Sequence, residues 1–585
     1  MRRFPLAFAA LPLLALASLT SIACSASSGD SGEVDGGGDD TAIGPGDGGL
    51  DARGSDGALP DGTSSDTATG DGGDSGPLPP PPATCTAPVS AVDTSKPTTV
   101  VGTGTAASCT ESALTAAIAK AGIVTFDCGG PATITVTKTL ELRTDADTTI
   151  DGGGKITLDG GDAVRVLEFN HGDFRKSDVT ITLQHLTITR GHAKGTDPFA
   201  PAPAPCSQGW YDGEGGAIRV RDGVLIVIDS TFVGNRAAEL GPDVGGGAIY
   251  LSGSKKAIVV GSTFKDNAGS NGGAIGALNS ELDVYNSVFD GNTALGNGAN
   301  GDDASKCSVV AKTGQHQVGS GGNGGAICID GGADGTHTFC GSKFTNNTGG
   351  SKALGGAIFR TPDGAKMTSN IDRCLFAGNK GESGVSLYFH NSNLSLTAST
   401  FANNVGAGAG VQADGTTLNA TNVTFYGNQA TAGLGAGMAL FGVTGKLLNC
   451  TFAENKAEGG DAYFAAAIFG NPTLTIDNTL FVNDTAKNSG APMQCQVSAT
   501  GTASTDLQWP RKHVVGTADD ALCVPGITFA DPLLGALGDH GGAVTTALPG
   551  AGSPAIGIGK ACPPTDARGK ARKTDGCAAG AAEPD

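Results

Sequence analysis

Basic residues are scarce in this 585-residue chain, in which Lys and Arg together number 37. Binding to nucleic acid needs clustered Lys and Arg to neutralise phosphates, so the composition argues against a nucleic-acid partner. Aromatic residues are also few, at 5%. Beyond residue 23 no apolar run is long enough to cross a bilayer, so any membrane attachment is expected at the amino terminus.

Glycine, in contrast, is abundant, with 95 residues. This much glycine weakens helices and excludes a helical bundle. Glycine does not recur at every third position, which also excludes collagen. The composition therefore favours a glycine-tolerant, strand-rich architecture.

The first 24 residues have the pattern of an export signal. Arg2 and Arg3 precede an apolar stretch that ends just before Cys24. The segment resembles a bacterial lipoprotein signal, which implies that Cys24 is lipidated after cleavage, although Ser21 stands where that family prefers Leu. An uncleaved membrane anchor is the alternative interpretation.

Residues 25–83 are predicted to be a disordered tether. They are rich in Gly, Asp, Ser and Pro, and they hold twelve acidic residues against one Arg, more than half of the net charge of −20. Such a segment cannot bury enough apolar surface to fold. Its Asp-Gly pairs match no EF-hand loop, so no motif indicates calcium or another cofactor, although calcium stays open.

The rest of the chain is a repeat built on two motifs. A Phe-x-x-Asn motif, with Asp in the last copy, recurs at Phe232, Phe264, Phe289, Phe344, Phe376, Phe401, Phe425, Phe452 and Phe481. A GGAI motif, which decays along the chain, has its last residue at Ile218, Ile249, Ile275, Ile327, Ile358, Val411, Met438 and Ile468.

Short alternating runs between the motifs indicate strands with one buried face. Leu282 and Val284 are expected to point inward. A period of ~25 residues with strands and frequent glycine predicts an all-β, right-handed, single-stranded parallel β-helix.

Two sets of asparagines are expected to have structural roles. Asn286, Asn422, Asn449 and Asn478, three residues before Phe, suit a bend in the left-handed conformation, and the last three could stack. A longer ladder is predicted three residues after Phe, ending at Asp484: Asn235, Asn267, Asn292, Asn347, Asn379, Asn404, Asn428 and Asn455. Thr424, beside Phe425, is expected to be exposed.

The two motifs resemble the repeats of polymorphic outer-membrane proteins. The ordered chain as a whole is similar to bacterial pectin-lyase-like β-helix proteins that end in a choice-of-anchor Q region. Segments that carry this resemblance are SCTESALTAAIAKAG, TTIDGGGKITLDGG, LTITRG, DPLLGALGDHGGAVTTALPGAGSPAIGIG and RGKARKTDGCAAGAAE. The resemblance implies a protein displayed at the cell surface. Such regions often precede an anchoring tail, whereas this sequence stops two residues after Glu583.

The predicted organisation gives the solenoid a covered end on each side. Residues 84–128 form an amino-terminal cap that contains an amphipathic helix over 110–121 with Thr110 as N-cap. The β-helix covers residues 129–484. Residues 485–585 hold the last coils and a carboxyl-terminal cap.

An exported chain with 14 cysteines is expected to contain disulfides. Local candidates are Cys109 with Cys128, Cys495 with Cys523, and Cys562 with Cys577. Cys374 and Cys450 occupy a position where other coils have Ser or Thr, and they are expected to be buried free thiols. No CxxC or HxxxH spacing indicates zinc, and no metal site is predicted.

Two inserts leave the coil at the same point, before the first and the fourth GGAI. Each carries one cysteine, Cys206 or Cys307, and we expect a disulfide between them, the alternative being two independent loops. The inserts also hold a mixture of aromatic and charged residues that forms the candidate ligand-binding surface: Trp210, Tyr211, Asp302, Asp303 and His316. A charged loop tip is the plainer interpretation of the last three.

No catalytic residues are predicted. Asp266 and Asp290 are the best acidic pair on the regular coils, but a solvated surface explains them, and no charged cluster is expected beside the GGAI isoleucines. Three hypotheses remain: a structural or adhesive surface protein, a polysaccharide lyase or glycoside hydrolase, and a protein that binds carbohydrate or metal without turnover. We favour an adhesive monomer, attached to the outer membrane or cell surface by its lipid, with a polysaccharide or a surface protein as its partner.

Overall fold

The computed structural model describes residues 85–194, 213–239, 241, 244–296, 321–331, 335–351, 353–361, 367–408, 410–432, 435–458, 465–487, 493–513 and 519–585. Within these residues it contains many short parallel strands and one α-helix.

The first elements are β1 (Thr99–Val101), α1 (Glu111–Ile118), β2 (Gly122–Phe126), β3 (Ala132–Thr135), β4 (Leu140–Glu141), β5 (Thr148–Asp159), β6 (Leu167–Asn170), β7 (Thr180–Thr189), β8 (Ile218–Arg221), β9 (Val224–Ile228) and β10 (Thr231–Val233). The middle strands are β11 (Ile249–Ser252), β12 (Lys256–Val260), β13 (Thr263–Lys265), β14 (Ala268–Gly269), β15 (Ile275–Leu278), β16 (Leu282–Tyr285), β17 (Val288–Asp290), β18 (Thr293–Ala294), β19 (Ile327–Asp330), β20 (Thr336–Cys340), β21 (Lys343–Thr345), β22 (Ile358–Thr361), β23 (Thr368–Asp372), β24 (Leu375–Ala377) and β25 (Lys380–Gly381). The last strands are β26 (Leu387–His390), β27 (Asn393–Thr397), β28 (Thr400–Ala402), β29 (Val405–Gly406), β30 (Val411–Asp414), β31 (Thr417–Thr421), β32 (Thr424–Tyr426), β33 (Gln429–Ala430), β34 (Met438–Phe441), β35 (Thr444–Leu448), β36 (Thr451–Ala453), β37 (Lys456–Ala457), β38 (Ala465–Asp477), β39 (Leu480–Val482), β40 (Thr485–Ala486), β41 (Met493–Gly501), β42 (Leu507–Trp509) and β43 (Thr528–Phe529). Short 3-10 helices span Ala106–Ser108 and Ala503–Thr505.

Most of the named strands stack in parallel into three long faces, and several two-residue strands form two further sheets, β14 with β18 and β25 with β29, β33, β37 and β40. Face A holds the strands that begin at the GGAI isoleucine, and runs from β4 and β6 through β8 to β34. Face B runs from β1 and β2 through β9 and β12 to β35. Face C holds the phenylalanine strands, from β10 to β39, and ends at β43. This arrangement confirms the predicted all-β parallel β-helix.

The core of the solenoid is a continuous stack of phenylalanine rings. Each ring of face C is fully buried and stacks on the next, with ring centroids 4.7–5.3 Å apart from Phe232 to Phe481. This separation equals the spacing of parallel strands, so one phenylalanine per coil fills the same core position without a gap.

The asparagine ladder is present as the sequence predicts. The Nδ2 atom of each ladder residue from Asn235 to Asn428 donates to Oδ1 of the next one at 2.8–3.0 Å, and to a main-chain carbonyl of the preceding coil. All eight side chains are buried. The last rung donates to Asp484 Oδ1 at 2.8 Å. Because each amide satisfies the next, the row tolerates complete burial.

A second ladder, which the sequence analysis did not predict, lies two residues before most of the phenylalanines, in a row of Ser, Thr and Cys that Val423 interrupts. The backbone N–H of Ser230 donates to Ser262 Oγ, and that of Ser262 donates to Ser287 Oγ, both at 3.1 Å. Cys374 and Cys450 occupy this row as buried free thiols, as expected, and burial raises the pKa of each to about 12.

The other asparagine row forms only in part. Asn286, Asn422, Asn449 and Asn478 all have φ between 50° and 57°, as predicted for a bend. Asn478 Nδ2 donates to Asn449 Oδ1 at 2.9 Å, but Asn422 Nδ2 donates to the carbonyl of Thr565. The expected three-residue stack was therefore wrong at Asn422, because a distant segment supplies the acceptor instead.

That segment is the carboxyl-terminal segment, residues 530–585, which lies along face C. Thr400 Oγ1 donates to the carbonyl of Thr545 at 2.7 Å, and the N–H of Ala581 donates to Thr451 Oγ1 at 2.9 Å. Thr424, between these coils, is fully buried, so its expected exposure was wrong. The end of the core is covered by earlier residues, including Cys523, Val524 and Ile527.

The amino-terminal helix is α1, which is shorter than expected. Its N-cap is Thr110, whose Oγ1 accepts from the N–H of Ala113 at 3.2 Å. Leu114 and Ile118 are buried in the same core as the first strands. The helix thus closes the apolar interior beside β1 and β2, as a cap requires.

Four disulfides lie in the described residues. Three are the local pairs expected from the sequence: Cys109–Cys128, Cys495–Cys523 and Cys562–Cys577. The fourth, Cys85–Cys340, joins residues 255 positions apart and was not anticipated. No local sequence signal could have paired them, because only the fold brings them together.

Candidate functional site

The outward row of face A brings chemically active side chains into one line. The residue after each inward-facing aliphatic residue points away from the core. Strand pairing places Glu141 beside Glu168, Glu168 beside Arg219, and Arg219 beside Tyr250. Neighbouring strands are ~4.8 Å apart, so these four side chains lie within one short stretch of surface.

An ion-pair cluster forms around this row. Glu168 accepts from Arg165 at 2.7 Å and from Arg219 at 2.8 Å, one guanidinium on each carboxylate oxygen. Glu214 Oε2 lies 3.9 Å from Arg165 Nη2 and 3.6 Å from Arg219 Nε. These four side chains are only 9–16% exposed. We call them, with Glu141 and Tyr250, the face A cluster.

The charged groups of the cluster shift the pKa values of Arg219 and Glu141. Burial opposes the charge of Arg219, but Glu214 and Glu168 raise its pKa above the ordinary value. Glu141 lies at the edge of the cluster and is largely exposed. The desolvation of its carboxyl group, together with the charge of Glu168, raises its pKa. The cluster contains three carboxyl groups but only two guanidinium groups. Glu141, the outermost of the three, therefore retains its proton more readily than a free glutamate does.

A cleft adjoins the cluster at Tyr250. A side chain at Gly276, in the next strand, would place its Cβ 2.8 Å from Tyr250 Cδ2, so only glycine leaves room for the ring. Tyr250, Gly276, Cys328 and Asp330 line this cleft. Farther along the row, Phe359 stacks on Tyr388 with ring centroids 5.4 Å apart.

The cluster corrects the expectation that no charged group gathers beside the GGAI isoleucines. Arg219 does follow such an isoleucine, but its partners Glu141 and Glu168 lie on earlier coils that lack the motif. Their signal was the local alternation in Leu140-Glu141-Leu142 and Leu167-Glu168-Phe169, which marks an outward glutamate on a strand.

The predicted ligand-binding residues lie outside the described residues, and so do three predicted cysteines. The former are Trp210, Tyr211, Asp302, Asp303 and His316, and the latter are Cys24, Cys206 and Cys307. These assignments stay predictions.

The acidic pair on the regular coils has a structural role. Asp290 accepts from Thr345 Oγ1 at 2.7 Å and from Asn346 Nδ2 at 2.9 Å, both on the next coil. Asp266 is exposed in a turn with φ of 53°. The pair thus fits the surface interpretation.

Two further properties of the described residues concern metal ligands and membrane-spanning helices. Among the described residues, the only metal-like grouping of His, Cys, Asp and Glu is Cys85, Cys340 and Asp372, and its two cysteines are joined in a disulfide. No helix in the described ranges is both long and apolar enough to cross a membrane.

No protein-family model matches this chain, and no curated protein matches it. Similar solved structures include a protein of Geobacillus virus E2, ORF18, with 13% identity over 67% of this chain and 62% of that chain at a TM-score of 0.29. This chain therefore spans less than two thirds of the viral protein.

Two other similar structures are PfbA, a surface adhesin of Streptococcus pneumoniae, and the alginate lyase AlyF-OU02 in complex with G6. The adhesin has 13% identity over 68% of this chain and 90% of its own, with a TM-score of 0.30. The lyase has 13% identity over 68% and 77%, with a TM-score of 0.29. Likenesses this distant carry no argument about function, and the fold assignment stands on the strand pairing described above.

Proposed function

We propose that this chain is an exported surface protein that binds a neutral glycan along face A without cleaving it. The observation that carries the proposal is the face A cluster, where planar charged groups lie beside a tyrosine in one outward row. The three carboxyl groups of the face A cluster outnumber its two guanidinium groups, which disfavours an anionic polysaccharide as the ligand.

The chemistry of the cluster suits sugar hydroxyls. Carboxylate and guanidinium groups offer fixed pairs of acceptors and donors, and the Tyr250 side chain, which is 7% exposed, lines the cleft beside them. Glu168 is held on both oxygens by arginines, which fixes its orientation. A preformed arrangement of this kind loses little conformational entropy when a ligand binds.

The same contacts argue against turnover by the buried carboxylates. Glu168 accepts from an arginine on each of its oxygens, and Glu214 Oε2 lies 3.6 Å from Arg219 Nε, so both side chains are engaged in ion pairs. A glycoside hydrolase needs one carboxyl group that can donate a proton and a second that acts as nucleophile or base.

The second candidate function is polysaccharide cleavage, and one observation favours it. Glu141 has a raised carboxyl pKa and stands beside Glu168 in the strand register, the arrangement of an acid next to a carboxylate. Cleavage would require Glu141 as the proton donor, so Glu141 is the residue that distinguishes the two functions.

A combined glycan-array and depolymerisation screen on residues 84–585 tests both functions. We expect binding to neutral glycans, loss of at least about tenfold in affinity with Tyr250→Ala, and no release of reducing ends or unsaturated products. Arg143→Ala is the matched control, because Arg143 is an exposed, ion-paired arginine outside the cluster. Product release that disappears in Glu141→Gln would show that the protein is an enzyme instead. Glycan binding that is unchanged by Tyr250→Ala would show that the face A cluster is not the binding site.

We propose lipid attachment through Cys24 as the means of surface display. The support is the export signal followed by a tether. The protein is expected to partition into the detergent phase, and Cys24→Ala is expected to release it into the aqueous phase. A variant that stays fully membrane-associated would contradict lipidation.

A further inference from the structure

The chain enters the described structure beside the middle of the solenoid. Residues 85–98, which we call the N-terminal strap, run back along the coils before β1 begins. Cys85 exchanges two hydrogen bonds with Asn286, at 2.9 and 2.8 Å. Val92 does the same with Gln184, at 2.8 and 3.1 Å. The strap therefore descends the stack as its residue numbers rise.

The strap ends at the first coil. Thr94 Oγ1 donates to Asp151 at 2.7 Å, and the N–H of Thr98 donates to the carbonyl of Ile123 at 2.8 Å. From β20, which contains Cys340, to β2 the strap crosses six strand spacings, roughly 29 Å. Its contacts follow one another along the chain.

Contacts in this order are weak against a pull on the amino-terminal side. A force applied ahead of Cys85 loads them one at a time, so the strap would peel from the coils rather than share the load. Each of these contacts consists of only one or two hydrogen bonds. The Cys85–Cys340 disulfide lies at the upper end of the strap, where peeling would have to begin.

We propose that the Cys85–Cys340 disulfide makes the middle of the solenoid the point where tension on the N-terminal chain enters, and so protects the coils below it. This inference rests on the proposed surface display, since a tethered protein that holds a ligand is pulled. The face A cluster, from Glu141 to Tyr250, lies inside the span that the disulfide closes. Its geometry is thereby kept intact while the chain is under load.

Single-molecule force spectroscopy on the purified full chain tests the inference without a membrane or a glycan. Handles are attached ahead of Cys85 and at the carboxyl terminus. The oxidised protein is compared with Cys85→Ser/Cys340→Ser. The matched control is Cys562→Ser/Cys577→Ser, which removes a disulfide of 15-residue separation from the other end of the chain.

The Cys85→Ser/Cys340→Ser variant is expected to extend at low force as the strap peels, and then to release the span between residues 85 and 340. Its total contour length should exceed that of the oxidised protein by roughly 800 Å, or roughly 450 Å if the predicted Cys206–Cys307 bridge also forms. The control variant should show neither change at the amino-terminal side.

Equal contour lengths for the oxidised protein and the Cys85→Ser/Cys340→Ser variant would overturn the inference, as would release of the span without low-force peeling. Amide hydrogen exchange at Val92, whose N–H donates to Gln184, provides a second readout that needs no handles. Exchange should accelerate at least about tenfold in the variant, while the thermal melting of its coils is retained. Unchanged exchange with a folded variant would show that the strap holds without the disulfide.

Discussion

At the scale of single residues, stability in this protein comes from repetition. Phe425 stacks on both Phe401 and Phe452, and Asn428 is bonded to ladder neighbours on both sides. A residue in such a row supports two coils at once. The cost of losing it therefore includes the partners it leaves behind.

The first prediction compares three substitutions on one coil. Phe425→Ala should lower the free energy of unfolding by ~3–5 kcal/mol, because it empties a closed core position. Asn428→Ala should cost ~1–3 kcal/mol, because a buried neighbour loses its partner. Asn419→Ala is the control, since Asn419 is exposed on β31. Denaturant unfolding measures all three, and equal effects would contradict the inward assignments.

The second prediction concerns the carboxylate that ends the ladder. Asp484 is fully buried, and burial raises its pKa to about 8 although Asn455 donates to it twice. Among the described residues its Oδ2 has no hydrogen-bond partner, at the place where each preceding rung has an NH₂ that donates to a carbonyl. A protonated carboxyl group can replace that donor, whereas a carboxylate cannot.

The sign of the pH dependence follows from the raised pKa. Between about pH 4 and pH 8 the unfolded chain loses this proton and the folded chain keeps it, so stability falls as the pH rises through that window and levels off above it. Asp484→Asn should weaken this fall and should be more stable than the wild type at pH 8. Thermal melts at pH 5, 7 and 9 measure it, with Asp266→Asn as the exposed control. A variant with an unchanged pH profile would refute the assignment.

At the scale of elements, the carboxyl-terminal segment behaves as a brace along face C. Arg572 is buried and joins three parts of the molecule: its guanidinium donates to Glu583, to the carbonyl of Gly580 and to Asn422 Oδ1. Arg568 similarly pairs with Asp566 and Asp585. Through these contacts the RGKARKTDGCAAGAAE stretch holds the carboxyl-terminal segment against the coils.

The third prediction tests the contacts of Arg572. Arg572→Ala should cost ~3–5 kcal/mol, since it leaves the Glu583 carboxylate without its buried partner. Amide hydrogen exchange should speed up in residues 565–583 and leave β9 unchanged. Lys570→Ala is the control, because Lys570 and Asp585 form an exposed pair worth ~0–1 kcal/mol. Equal exchange in the two variants would show that Arg572 does not hold the segment.

At the scale of the whole molecule, distant parts of the chain are joined across the stack of coils. Cys85–Cys340 is one such link, and the predicted Cys206–Cys307 bridge would be another. Both would limit how far the coils between them can separate when the chain unfolds.

The fourth prediction is that Cys206 and Cys307 are disulfide-bonded. The repeat phase predicts that both inserts leave the same edge of the solenoid, three coils or ~14 Å apart, and loops of this length can span that gap. In the chain-entropy model, closing a loop of about 100 residues raises the free energy of unfolding by up to ~4.7 kcal/mol. The gain is smaller here, because the coils already order most of the span. Non-reducing peptide mapping should recover the two peptides joined, and free thiols or other pairings would disprove the bridge.

The sequence alone determined the parts of this protein that depend on local repetition. The repeat positions of the Phe-x-x-Asn and GGAI motifs predicted the inward-facing residues, the asparagine ladder and the β-helix. They could do so because each coil packs against a similar coil one strand spacing away. Helix α1 and the three local disulfides also followed from neighbouring residues. The same reasoning failed where a contact joins segments without shared phase.

Only the tertiary structure decided those contacts. The burial of Thr424, the diversion of Asn422 to Thr565 and the pairing of Cys85 with Cys340 all arise where a non-repeating segment folds back on the coils. The face A cluster assembles because irregular early coils stack in register with a regular one. Repetition predicts what a residue meets in the next coil, but it contains no information about the path of a segment that leaves the repeat.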